Sequence, residues 1–171
     1  MERERRTHPS GRVELRMDGE QPVAVGYAAV FYRSNDPGTE FELFEDVVER
    51  IDARAFDRAI RDSHDVRALF NHDPSQILGR NGSTLRLSVD STGLRYEIDL
   101  PKSATQVREA LERGDVTGSS FQFLAKGVSW NDEEGRSVRT ITDVDLLDVG
   151  PVTFPAYDAT TAGVRDSLNA W

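Results

Sequence analysis

The chain of 171 residues carries a net charge of −9 and contains no cysteine, which excludes disulfides, thiolate metal sites and a cysteine nucleophile. Its acidic balance argues against nucleic acid as a main partner, because phosphate binding needs a clustered basic face. No apolar run approaches the roughly 20 residues that span a bilayer, so we expect no membrane partner and a cytoplasmic location.

The pattern of charged and apolar residues in the first part of the chain indicates a charged arm followed by strands. Residues 1–21 are rich in charge and show only brief apolar alternation, which predicts a flexible N-terminal arm or an edge strand. Residues 22–32 (PVAVGYAAVFY) favour a buried strand, because Val, Tyr and Phe suit a pleated surface. A second strand is predicted over residues 41–48, and Asp52 is placed to cap a short helix over residues 53–60.

The middle of the chain predicts a strand that leads to a histidine, then a hairpin and a helix. Residues 66–71 form the predicted strand, which delivers His72 to its end. Alternating apolar residues predict an antiparallel pair over residues 84–89 and 94–100. A capping-box pattern then begins a second helix over residues 103–113, and the glycine that follows ends it.

The last third of the chain again favours extended structure. Strands are predicted over residues 119–125, 137–149 and 151–157, with a polar insertion at 131–136 and a weak helix or tail over 161–171. In total the chain predicts about seven or eight strands and two helices, which do not alternate regularly. This pattern favours a mainly antiparallel barrel or sandwich with helices packed outside.

His72 is the histidine best placed for chemistry. It ends an apolar run and precedes an Asp-Pro turn, so its ring is held on the backbone side and open on the other. Imidazole can take or give a proton near neutral pH, but a structural histidine in a turn explains the pattern equally well. His8 in the charged arm is expected to be inert, and His64 in a polar loop to be exposed.

Two serines and an aspartate are candidate partners for this histidine. Ser119 and Ser120 follow Gly118, and a glycine before a nucleophile makes room for substrate. Neighbouring residues of a strand point to opposite faces, so only one serine can face His72; plain turn chemistry is the alternative explanation. Asp148 interrupts an apolar stretch, where an unpaired carboxylate is costly, so it is a candidate to orient the imidazole.

The chain contains three distinctive blocks in this order: residues 69–80 (LFNHDPSQILGR), 114–121 (GDVTGSSF) and 147–157 (LDVGPVTFPAY). Together they resemble the prohead (head-maturation) serine proteases of tailed bacteriophages. The resemblance implies a protease domain over residues 22–160, with the arm over 1–21 before it and a tail over 161–171 after it. It also implies the fold shared with herpesvirus assemblins, which is mainly β with peripheral helices (α+β) around a closed antiparallel β-barrel of about seven strands.

The same resemblance implies a role for each candidate residue. His72 corresponds to the general base, and Ser120, rather than the serine before it, corresponds to the nucleophile. Asp148 stands where the family commonly has a glutamate, which shortens the reach to His72 by one methylene. Gly150 replaces the usual serine of the closing block, and Gln122 stands where a small residue is common beside the nucleophile.

The resemblance therefore predicts a serine endopeptidase that cleaves segments of the scaffold and major capsid proteins, and itself, during prohead maturation. It would act through an acyl-enzyme, without a metal or other cofactor, in the bacterial host cytoplasm inside the assembling procapsid. Self-association is a further interaction that the resemblance permits. Two alternatives stay open: a catalytically inactive capsid-assembly or scaffold protein that keeps the fold, and a metal-dependent hydrolase that uses His72 and nearby acids.

Overall fold

The computed structural model describes residues 1–154, which form eleven strands, two α-helices and a short 3-10 helix at Pro37–Thr39. The strands are β1 (Arg3–Arg6), β2 (Val13–Asp18), β3 (Gln21–Val30), β4 (Phe41–Phe44), β5 (Val47–Ile51), β6 (Arg67–Leu69), β7 (Ile77–Arg80), β8 (Leu85–Val89), β9 (Gly93–Asp99), β10 (Gly118–Glu133) and β11 (Arg136–Val152). The helices are α1 (Asp57–Arg61) and α2 (Thr105–Arg113).

The strands form two sheets. The larger sheet has seven strands in the order β1-β10-β11-β5-β4, and β6 joins it by pairing with both β11 and β7. The smaller sheet has four strands in the order β2-β3-β9-β8. β11 organises the larger sheet, because it pairs antiparallel with β10 along its length and parallel with β5 near its start and β6 near its end.

The predicted closed antiparallel barrel of about seven strands is wrong. β1 and β4 end the path of the larger sheet, and within residues 1–154 neither sheet closes on itself. The physical reason lies in β11. One edge of β11 pairs with β10, and its other edge pairs with two different strands, β5 and β6, so the sheet branches there. Both of these pairings are parallel, whereas the other strand pairings of the two sheets are antiparallel.

Local patterns located most of the individual strands. The predicted hairpin is confirmed as β8 and β9, with Leu85 opposite Ile98 and Val89 opposite Leu94. The single strand predicted over residues 41–48 is instead divided into β4 and β5. The predicted polar insertion forms the tips of β10 and β11, because polar side chains are tolerated where a long hairpin leaves the core.

The helices begin later than the sequence predicts. The residue before α2 is Ala104, and no side chain caps that helix, so the predicted capping box does not form. Gly114 ends α2 in the left-handed conformation, as predicted. Asp52 accepts a hydrogen bond from the Arg54 N–H in a turn that precedes α1. Within residues 1–154, no helix is both long enough and apolar enough to cross a membrane.

One hydrophobic cluster joins both sheets and both helices and fixes β10 from one side. Phe121 of β10 is fully buried; its ring stacks on Phe123 at 4.8 Å and meets Phe56 edge-on at 5.6 Å. Each fully buried side chain of this size stabilises the fold by about 1.5–3 kcal/mol. Ser120 immediately precedes Phe121, so this packing also fixes the backbone that carries Ser120.

Residues 1–21 contribute two strands to the sheets. β1 pairs with β10 at the edge of the larger sheet, and β2 pairs with β3 in the smaller one. An edge strand is one of the two structures predicted for this stretch; the burial of Arg6 and His8, at 2% and 1% exposure, is not. The predicted tail over 161–171 and the domain end at 160 lie outside the described residues.

Candidate active site

The structure brings together His72, Ser120 and Asp148, which we call the triad. The Nδ1 atom of His72 lies 2.5 Å from Oδ1 of Asp148, and its Nε2 atom lies 2.7 Å from Oγ of Ser120. All three side chains are largely buried, with Ser120 only 1% exposed. The result is a continuous hydrogen-bonded chain of carboxylate, imidazole and hydroxyl, in which the imidazole can accept the hydroxyl proton.

The two serines of β10 face opposite sides of the strand. Ser119 is fully buried, and its Oγ lies 2.6 Å from the phenol oxygen of Tyr96 in the smaller sheet. Burial raises the pKa of Tyr96, so this phenol stays neutral. Only Ser120 therefore contacts His72, because the alternation of a strand separates neighbouring side chains.

The loop between β6 and β7 presents His72 through an unusual backbone conformation. Asn71 and His72 have φ of 55° and 57°, a left-handed region that non-glycine residues seldom adopt. Asn71 holds the loop: its N–H donates to the carbonyl of Pro151 at 3.0 Å, and its side-chain oxygen accepts from the Thr153 N–H at 2.8 Å. Asn71 is not among the site residues predicted from the sequence, although asparagine is a residue that tolerates the left-handed region.

Asp73 and His64, the groups considered as metal ligands together with His72, have other hydrogen-bond partners. Asp73 accepts hydrogen bonds from the N–H and Oγ of Ser75, which lower the pKa of its carboxyl group. His64, predicted to be exposed, is half-buried, and its Nδ1 accepts from the Leu146 N–H at 3.4 Å. Among residues 1–154, no three His, Cys, Asp or Glu side chains are grouped so that they could hold a metal ion.

Gly150 lies where β11 passes the end of β6 with no room for a side chain. At Gly150 the backbone of β6 comes so near that a Cβ atom would lie 2.0 Å from the carbonyl oxygen of Leu69. A side chain there would push β6, and the loop that carries His72, away from β11. Asp148 contacts Nδ1 of His72 directly, so the shorter side chain reaches the imidazole without a bridging water.

Ser120 makes a second hydrogen bond, to the N-terminal strand. Its Oγ donates to the backbone carbonyl of Arg6 at 2.8 Å, and Arg6 lies opposite Phe121 in the pairing of β1 with β10. A hydroxyl has one proton, so Ser120 can donate it to the Arg6 carbonyl or to Nε2 of His72, but not to both. β1 therefore covers the nucleophile candidate and competes for its proton.

The side chain of Arg6 is bound in a buried acidic pocket. Its Nε and Nη2 atoms lie 2.6 Å and 3.0 Å from the two carboxylate oxygens of Glu49, which is fully buried. The rings of Phe41 and Phe123 lie 5.1 Å and 5.6 Å from the guanidinium carbon. Burial alone would lower the pKa of Arg6, but the charge of Glu49 and its hydrogen bonds raise it.

A second pair of charges completes this pocket. Arg139 contacts Glu49 at 2.5 Å and both carboxylate oxygens of Glu4 at 2.9 Å, while Arg6 contacts Glu4 at 2.5 Å. Burial alone would raise the pKa of Glu4, but the hydrogen bond from Arg139 and the charges of both arginines lower it. Two cations and two anions therefore balance within the network.

His8 is buried two residues beyond Arg6 rather than lying in a solvated arm. Its ring stacks on Phe121 with 6.1 Å between centroids, and among residues 1–154 neither ring nitrogen has a hydrogen-bond partner. Burial and the nearby charge of Arg6 lower the pKa of His8 to about 3. A buried polar group without a partner costs about 1–3 kcal/mol, so this contact opposes the docking of the N-terminal segment.

Comparison with known proteins gives one family and one solved structure. The family described as Caudovirus prohead serine protease matches residues 12–170, which include the whole triad but not β1. The structure of the bacteriophage T4 capsid assembly protease, gp21, aligns with a TM-score of 0.45 and 11% identity, over 85% of this chain and 95% of that one. A search of curated proteins gives no match.

Proposed function

Since the chain belongs to the caudovirus prohead serine protease family, we propose that it is an endopeptidase whose catalytic residues are Ser120, His72 and Asp148. The observation that carries this proposal is the unbroken line of hydrogen bonds from Asp148 through both ring nitrogens of His72 to the Ser120 hydroxyl. That geometry is the requirement for activating a serine, which is a weak nucleophile without a base in contact.

The chemistry that this geometry supports is acyl transfer. Oγ of Ser120 attacks the carbonyl carbon of the scissile peptide bond while Nε2 of His72 takes the hydroxyl proton. His72 then gives that proton to the leaving amine as the carbon–nitrogen bond breaks, and a water molecule repeats both steps on the acyl-enzyme. Asp148 accepts the Nδ1–H bond, which selects the tautomer whose Nε2 is free and stabilises the imidazolium as it forms.

The substrates we propose are segments of the major capsid and scaffold proteins, and the protease chain itself. Cleavage would take place inside the assembling procapsid, in the cytoplasm of the bacterial host. The support for these substrates is membership of the prohead protease family. Incubation of the purified chain with capsid and scaffold proteins, followed by mass mapping of the products, tests this choice.

The triad itself is tested by a fluorophosphonate probe, with the adduct mapped by peptide mass spectrometry. We expect the adduct on Ser120, and we expect it to be lost in His72→Ala, because the serine then has no base. The matched control is Ser119→Ala, which removes the neighbouring hydroxyl on the opposite face and should keep the adduct. Proteolysis that persists in purified Ser120→Ala would contradict the assignment, and absence of any adduct would favour the inactive assembly protein.

A further inference from the structure

We propose that residues Glu4–Arg6 occupy the enzyme's own substrate cleft, and that its substrates are extended peptides with arginine before the cleaved bond and glutamate two residues earlier. Glu49 and Arg139 are then the residues that determine this specificity. The inference rests on the proposed function, because it takes Ser120 as the attacking group. It goes further by naming the sequence that the cleft recognises.

The backbone of β1 lies where an extended peptide would bind. β1 pairs antiparallel with residues 121–124 of β10 and ends the path of the larger sheet, so its removal would expose the edge of β10 directly beside Ser120. Adding a strand to such an edge is a common mode of peptide recognition. After Arg6 the chain passes Ser120 and returns to β10 where Arg12 lies opposite Gly118. The N-terminal segment thus crosses the nucleophile from one side to the other.

The contact at Ser120 sets the register of this bound segment. The Arg6 carbonyl is the peptide group that touches the Ser120 hydroxyl, at 2.8 Å. The bond from Arg6 to Thr7 therefore corresponds to the cleaved bond, and Arg6 corresponds to the residue on its acyl side. In the observed arrangement this carbonyl accepts a hydrogen bond from the Ser120 hydroxyl. The hydroxyl must instead donate to Nε2 of His72 before its proton can be transferred, so the bound segment holds the enzyme in a less reactive state.

The pocket around the Arg6 side chain favours a guanidinium. Glu49 is fully buried and presents both oxygens to two nitrogens of the same guanidinium, at 2.6 Å and 3.0 Å. A planar guanidinium matches a carboxylate in this paired way, whereas a lysine ammonium cannot. Phe41 and Phe123 supply aromatic surface beside the charge. With an uncharged side chain in this position, the buried carboxylate of Glu49 would be paired with Arg139 alone.

Charge balance adds the preference for glutamate two residues earlier. Glu4 and Arg6 lie on the same side of β1, and Arg139 contacts both Glu4 and Glu49. When β1 leaves, Glu4 and Arg6 leave together, and Glu49 and Arg139 remain as a neutral pair. A peptide with the spacing Glu-X-Arg restores both lost contacts. The intervening residue corresponds to Arg5, which points elsewhere and donates to Gln122 at 2.7 Å.

The first experiment measures binding, so that it does not depend on catalysis. The probe is a fluorescent peptide with the sequence of residues 2–10 (ERERRTHPS), and the protein is the full chain with Arg6→Ala to empty the pocket and Ser120→Ala to prevent turnover. We expect the peptide to bind, and a peptide with Gln at the position of Arg6 to bind at least about tenfold more weakly. The peptide with Gln at the position of Glu4 should also bind more weakly.

A pocket variant tests whether Glu49 is the source of this preference. In a chain that also carries Glu49→Gln, the two peptides that differ at the Arg6 position should bind with nearly equal affinity. Equal affinities without that substitution, or a preference that survives it, would overturn the inference. The peptide substitutions leave the protein unchanged, so they decide the question even if Glu49→Gln does not fold.

Cleavage and probe labelling separate this inference from the proposed function. Preferential binding of the arginine peptide by a chain that neither cleaves it nor takes up the probe would overturn the proposed function alone. Cleavage with no preference for arginine would overturn this inference alone. With Ser120 intact, Arg6→Ala should take up the fluorophosphonate several-fold faster than the unaltered chain, while Arg3→Ala, an exposed position on the same strand, should label at the original rate.

Discussion

The triad and the N-terminal strand meet at Ser120, but different forces hold them in place. Ser120 and Asp148 lie on strands, and His72 lies in the loop between β6 and β7. The backbone of the two strands is fixed by apolar packing, of which the contact between Phe121 and Phe56 is an example. β1 lies at the edge of the sheet, and its inward face is held by ion pairs to Glu49 and Arg139. The first region is therefore ordered by burial of apolar surface, and the second by compensation of buried charge.

This difference separates the groups that align the proposed nucleophile, Ser120, from the groups that control access to it. Apolar packing stabilises strongly and does not depend on a precise partner, whereas a buried ion pair roughly offsets its own cost of desolvation. The unpartnered ring of His8 further opposes the docking of the N-terminal segment. We therefore expect Ser120→Ala and Asp148→Asn, which nearly keep the shape of the buried side chains, to remove activity with little change in stability, and changes at the N-terminal segment to alter access.

The largest effect is expected inside the triad, from Asp148→Asn. An amide can hold His72 in the wrong tautomer, so peptide cleavage should fall by about 10³–10⁴-fold while the free energy of unfolding changes little. Steady-state cleavage of a capsid-protein peptide and thermal unfolding measure the two quantities. The matched control is Asp143→Asn on the same strand, whose carboxylate pairs with Arg58, and which should keep full activity. Equal losses in both variants would contradict the role given to Asp148.

An intermediate effect is expected from Gly150→Ala, which changes the spacing between β6 and β11. The added Cβ meets the Leu69 carbonyl, so the loop that carries His72 must shift. A displacement of about 1 Å can cost about 100-fold in rate, and we expect a loss of that order, with about 1–3 kcal/mol of stability.

The control for Gly150→Ala is Gly82→Ala. Gly82 has a φ of +84° and no atom within 4 Å of an added Cβ, so this variant should lose stability through its backbone conformation alone. Cleavage by the Gly82 variant, measured below its unfolding temperature, should match the unaltered chain. If the two variants lose activity in proportion to stability, the spacing of β6 and β11 is not what matters.

The smallest effect is expected at the N-terminal segment, as a dependence on pH. The pKa of His8 is lowered from its ordinary value of 6.5 to about 3 by burial and by Arg6. Between these values the detached segment binds a proton that the docked segment does not. Docking therefore weakens as the pH falls below 6.5, and above 6.5 this proton no longer opposes it. The change amounts to about 1.4 kcal/mol per pH unit, or about tenfold in the docking equilibrium.

Hydrogen exchange of the β1 amides, corrected for intrinsic rates, measures this docking. As the pH is lowered from about 7.5 to about 5.5, the exchange of the β1 amides should accelerate relative to that of the β11 amides. His8→Leu, which puts an apolar side chain that cannot bind a proton in the same place, should remove the acceleration. A pH dependence that is unchanged in His8→Leu would assign the effect to other groups.

The sequence by itself located short-range structure and selected the candidate residues of the site. Alternation located the β8 and β9 hairpin, and Gly114 located the end of α2, because both signals depend on residues close together in the chain. The triad residues were selected by their residue types and by three blocks that resemble a protease family. That the three side chains lie within hydrogen-bond distance of one another is a property of the folded chain.

Only the tertiary structure decided which strands pair and which charges are buried. Alternation describes the two faces of one strand but not its neighbours, so it could not show that β11 shares one side between β5 and β6, and the predicted barrel failed there. In the same way, the charges of β1 indicate a solvated arm until Glu49 and Arg139 are seen beside them. Burial of a charge depends on partners far along the chain, and folding alone brings them together.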